Sequence, residues 1–143
     1  MTLGRLTNTL RVLALLSPCL AAGCGGNPKT YPVEGKVTFP DGTTLVGATV
    51  EFEAEDATAA GRNARGTVSA DGRYRLTTFK DGDGAVEGPH RVLVVPPSYE
   101  PSNMEGPPPK QVLNPNYSKY ETSGLRFTVK PEPNTYDITV QRP

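Results

Sequence analysis

The chain has 143 residues, with 15 Lys and Arg against 15 Asp and Glu, so its formal net charge is zero. That balance gives no basic patch to grip nucleic acid and no long acidic run. With two Cys, one His and no Trp, a thiolate cluster or a multi-histidine metal centre is excluded.

Residues 1–23 carry Arg5 and Arg11 and no acidic residue. An apolar stretch, Val12-Leu13-Ala14-Leu15-Leu16, runs on to Leu20-Ala21-Ala22. A basic head, a short apolar body and a small-residue end mark a secretory signal helix, cleaved from the mature chain. The apolar part falls short of the roughly 20 residues a membrane-spanning helix needs.

Cys24 directly follows Ala21-Ala22-Gly23. This stretch resembles the lipobox of bacterial lipoproteins, with the usual leucine one place further out, at Leu20. The resemblance implies cleavage after Gly23, a diacylglycerol thioether on the Cys24 sulfur, and an acyl chain such as palmitate on the new amino group. Two or more chains anchor stably where one binds marginally. It also implies a place in the cell envelope, on the inner or outer membrane, with the domain facing periplasm or exterior. The competing reading is ordinary cleavage near Ala22 or Gly23 that leaves Cys24 a free thiol, a liability to oxidation outside the cytoplasm. If the signal is removed, Cys19 leaves with it and no disulfide can form. The mature chain is then weakly acidic, and its core is large enough to do without staples.

Residues 24–31 are short, polar and aperiodic, and read as a flexible tether. The rest, 32–143, reads as strands of period two. Val33, Gly35, Val37 and Phe39 alternate with polar residues, and Pro40-Asp41-Gly42 ends the run. Ala48–Ala54, Arg65–Ser69 and Arg73–Thr77 alternate likewise, the last two joined by a hairpin at Asp71-Gly72. His90–Val95, Leu125–Val129 and Tyr136–Val140 complete seven strands. Nothing after the signal has helical periodicity, so the expected fold is all-β, a seven-stranded antiparallel β-sandwich.

The order of motifs narrows this further. Val33-x-Gly35-x-Val37 is followed by Gly42, Leu45, Gly47 and Ala48 in a Gly-x-x-Leu-x-Gly-Ala turn. Asp71, Gly72, Tyr74 and Leu76 form an Asp-Gly-x-Tyr-x-Leu hairpin, and Gly88, His90, Val92 and Val94 the last element. Over about residues 32–95 this resembles the carboxypeptidase regulatory-like domain, a prealbumin-like (transthyretin-like) sandwich. The resemblance implies a non-catalytic accessory or surface module with no cofactor, acting as a structural or binding element. An alternative is a transport or adaptor lipoprotein that holds a polysaccharide or partner protein near the membrane. One histidine also cannot supply the metal ligands of intradiol dioxygenases or the several histidines of hydroxyisourate hydrolases, which share related folds.

Three features could carry chemistry. His90 stands where the family usually has Tyr, and reads as an aromatic substitute sharing a face with Val92 and Val94 rather than as a ligand or base. Asp81-Gly82-Asp83-Gly84, with Glu87 nearby, lacks the bidentate glutamate of a calcium loop and reads as a solvated turn. The segment 96–124 holds seven prolines and Tyr99, Tyr117 and Tyr120. These tyrosines are the candidate surface for an envelope protein or glycan, and the competing role of the segment is to cover a sheet edge.

Overall fold

A computed structural model describes residues 26–57, 59, 61–98 and 111–143. Among these residues the chain forms ten strands: β1 Thr30–Tyr31, β2 Val33–Thr38, β3 Thr49–Ala54, β4 Ala64–Thr67, β5 Arg73–Arg75, β6 Ala85–Val86, β7 Gly88–Val95, β8 Leu125–Val129, β9 Asn134–Thr135 and β10 Ile138–Thr139. One sheet has the order β4-β3-β7-β8, all antiparallel. The other centres on β2, with β5 antiparallel on one side and β9 and β10 on the other. β1 and β6 pair as a small third element.

The alternation that defines the strands also defines the core. Val33 and Val37 of β2 and Val50 and Phe52 of β3 are fully buried, as are Val92 and Val94 of β7; Glu34, Lys36 and Glu51 between them face outward, whereas Leu93 is buried on the opposite face of its sheet. Burying side chains of this size supplies about 1.5–3 kcal/mol each. The class is the expected one: an all-β sandwich of two facing sheets.

Three details depart from the sequence expectation. The pairing is not wholly antiparallel, because β9 and β10 run parallel to β2. Period-two alternation fixes which side chains face inward but carries no information on strand direction. The run Tyr136–Val140 is also interrupted. The Tyr136 carbonyl turns inward and accepts from the Tyr74 hydroxyl at 2.6 Å, and Asp137 Oδ1 accepts from the Lys36 amide at 2.9 Å. Gly35 allows this, since a Cβ there would lie 2.0 Å from the Tyr136 carbonyl oxygen. Finally, β1 and β6 are two-residue strands inside stretches read as tether and loop, too short to show any period.

The hairpin at Asp71-Gly72 forms, with the Ser69 amide donating to the Arg73 carbonyl at 2.8 Å. β4 joins β3 and β5 joins β2, with the arms bridged again by the Arg65 and Thr77 backbones, so this hairpin links the two sheets.

The strands give the sandwich two distinct ends. Thr30, the start of β2, the start of β7 and the end of β8 lie at one end. Phe39, the turn before β3, Pro97 and the C-terminal residues lie at the other.

Candidate ligand groove

The end opposite the N-terminal strand carries a groove of about 350 Å³. Its floor and walls are Phe39, Leu45, Val46, Pro97 and Val112. Phe39 and Leu45 are buried from below, whereas Val46 is 49% exposed. Leu45 and Val46 are adjacent in a turn, so when Leu45 points into the core Val46 is left outside. Arg142 closes one rim. Its guanidinium lies 4.0 Å from the Phe39 ring centroid, donates to Asp41 Oδ2 at 2.9 Å and to Thr43 Oγ1 at 2.9 Å. The Thr43 hydroxyl and amide, with a smaller contribution from Arg142, hold the Asp41 carboxyl below its ordinary range. The result is an apolar trough with a neutralised, hydrogen-bonding rim, in the size range of small-ligand sites.

Pro97, Gln111 and Val112 in this lining belong to the segment 96–124. Tyr117 and Tyr120 do not reach the groove's lining. Tyr117 packs against the core cluster. The Tyr120 hydroxyl donates to Glu51 Oε1 at 2.7 Å, and the Arg91 guanidinium stands 5.4 Å from its ring centroid. Glu51 also accepts from Asn63 at 2.7 Å and from Arg65 Nε at 2.6 Å. Burial works to raise the Glu51 carboxyl, but the bonds from Arg65, Tyr120 and Asn63 outweigh it and hold it low. Burial, then the bond to Glu51, pushes the Tyr120 hydroxyl up. Tyr120 thus lies across the outer face of the sheet, and Leu93, opposite Glu51 in register, is only 7% exposed.

Residues 114–124 of the same segment lie along a sheet edge. β8 stops pairing at Leu125, opposite Val92. There Ser123 Oγ donates to the Val92 carbonyl at 2.6 Å, and Ser118 Oγ to the Val94 carbonyl at 3.4 Å. A 3-10 turn, Pro115–Ser118, with Asn114 accepting from the Asn116 amide, sets this path. Cys24, Gly23 and Tyr99 lie outside the described residues.

His90 is 1% exposed, with its ring centroid 5.8 Å from that of Phe52. Nδ1 is 2.9 Å from the Gly88 carbonyl, so the proton sits on Nδ1, and Nε2 has no partner among the described residues. Burial outweighs the Gly88 bond and pushes the His90 pKa down. A second cavity of about 260 Å³ is lined by Glu53, Glu55, Ala54, Gly61 and Arg91. Its carboxylates are engaged, Glu53 with Arg91 and Glu55 with Arg126. Among the described residues no three His, Cys, Asp or Glu side chains gather where a metal ion could sit, and no helix is long and apolar enough to cross a membrane.

Sequence reasoning found the segment that forms one wall of the groove but missed Phe39, Val46 and Arg142. The available signal was the Leu45-Val46 pair, two adjacent apolar residues in a turn that can bury only one of them.

No family model matches the chain, and no curated protein is similar to it at a significant level. Among solved structures it is similar to a DUF3823 family protein from Parabacteroides merdae, at 13% identity and a TM-score of 0.49. The alignment covers 81% of this chain and 48% of that one, so this chain spans about half the length of that protein.

Proposed function

We propose that this chain is a lipid-anchored lipoprotein of the cell envelope, built on one carboxypeptidase regulatory-like sandwich that binds a partner without catalysis. The supporting observation is the separation of ends: the chain leading from Cys24 joins the sandwich at Thr30, and the apolar groove opens at the opposite end. A groove so placed faces away from the bilayer, toward envelope proteins or glycans. The way His90 is used, buried and tied to Gly88, supports a role in packing rather than proton transfer. A photo-crosslinking residue at position 46, compared with one at position 126 on the outer sheet face, tests the groove in intact cells. The expected result is one discrete adduct from 46 and none from 126. The same pattern from both positions, or none from either, contradicts a groove-borne function.

A further inference from the structure

The turn between β5 and β6 has a construction that the groove does not explain. Asp83 accepts at one carboxylate oxygen from the Thr78 amide at 2.8 Å, and at the other from the Phe79 and Lys80 amides at 3.1 and 3.0 Å. The Asp83 amide closes the turn onto the Lys80 carbonyl at 2.9 Å, and Gly82 donates to Thr77 Oγ1 at 2.9 Å. So many local bonds make a stiff tip. At that tip Phe79 is 37% exposed, one of three large apolar side chains left open among the described residues, with Lys80 beside it.

The tip is braced against the first strand of the domain. β1 pairs with β6, and Gly84 lies so close to the Tyr31 backbone that a Cβ would come within 1.7 Å of its carbonyl oxygen. Five residues, 25–29, separate Cys24 from Thr30. The six Cα–Cα steps from Cys24 to Thr30 span at most about 22 Å. If Cys24 is lipidated, this end of the sandwich stays within that distance of the bilayer surface. Lys29, with its Nζ 4.9 Å from the Tyr31 ring centroid, adds a second aromatic and cation pair where the tether joins. Aromatic rings flanked by lysines suit the membrane interface, where ring and alkyl stem are buried and the charge stays wet.

We propose that the Thr78–Asp83 turn is a lipid-contact tip that sets Phe79 and Lys80 into the headgroup layer and orients the sandwich on the membrane. This rests on the reading of Cys24 as the lipid anchor. At this end Lys29, Arg75, Lys80 and Lys130 are offset by Asp81, Asp83, Glu87 and Glu132, so the contact depends on apolar burial and needs no anionic lipid. The groove, an eight-residue strand of roughly 25 Å further on, is then held clear of the surface.

The test uses the full lipidated chain reconstituted in phosphatidylcholine vesicles containing a nitroxide-headgroup lipid. With Cys24 blocked by its thioether, Phe79→Cys and Val46→Cys each offer one thiol for an environment-sensitive fluorophore. The expected result is emission quenched by the nitroxide lipid at 79 and unquenched at 46, whatever colour the groove gives the dye at 46. Equal quenching at both positions, or quenching at neither, in a vesicle-bound chain overturns the lipid-contact tip while leaving the anchor standing. A chain recovered soluble with an unmodified Cys24 overturns the anchor, and the tip with it.

Discussion

At the scale of single residues, the polar groups that matter most are those the fold has placed among apolar ones. His90 is neutral in the folded state because burial disfavours its charge. Its folded pKa therefore lies below the value of about 6.5 it has when unfolded. The unfolded chain takes up the proton first, so this contribution to stability is complete above pH ~6.5 and is lost as pH falls toward the lower folded value. Asp41, Glu51, Asp71 and Asp83 shift downward as well, but as acids whose unfolded pKa values lie near 4; their losses belong to a more acidic window. Chemical denaturation at a series of pH values should show both steps, and His90→Phe should remove the upper one while keeping the sandwich. Tyr120→Phe removes one of the bonds to Glu51 and should cost about 1 kcal/mol, leaving Arg65 and Asn63 in place. A midpoint shift with unchanged slope in urea would register that loss.

At the scale of elements, two devices hold the sandwich together at its margins. One is the approach of the Tyr136 carbonyl to Gly35, which lets the C-terminal strands lie along β2. Gly35→Ala drives a methyl into that carbonyl and should destabilise by about 3 kcal/mol or more, with amide exchange accelerating first in β9 and β10. The other is the serine pair on the uncovered carbonyls of β7. Ser123→Ala leaves the Val92 carbonyl buried and unpaired, which should cost about 1–3 kcal/mol and loosen residues 117–124 in hydrogen exchange.

The long strands were legible because each buries one face. Val33 and Val37, and Val50 and Phe52, alternate with polar residues and point into the core, as do Val92 and Val94 around the apolar Leu93. In the described part of 96–124, Ser118 and Ser123 cap carbonyls of β7, an edge contact that the prolines of the segment did not identify. What was not legible has physical causes. β1 and β6 are too short for any period, and the direction of β9 and β10 follows from where the chain crosses, not from side-chain order. The groove is formed by three separate stretches, Phe39 with Val46, Pro97 and Arg142, which only the folded chain brings together. Tyr117 and Tyr120 looked like a recognition surface as sequence, because a tyrosine's partners are invisible until Glu51 and Arg91 are placed beside it.

At the scale of the whole molecule, the proposed function rests on polarity along the sandwich: the N-terminal strand β1 and the Phe79 tip at one end, the groove at the other. That arrangement gives the groove a direction only if the N-terminal end is fixed to a membrane. Intact mass of the mature protein extracted from membranes, beside a Cys24→Ser variant, tests this most directly. The expected mass is that of residues 24–143 plus diacylglycerol and acyl groups, with both the added mass and the membrane association lost in the variant. A soluble, unmodified chain with Cys24 as a free thiol would contradict it.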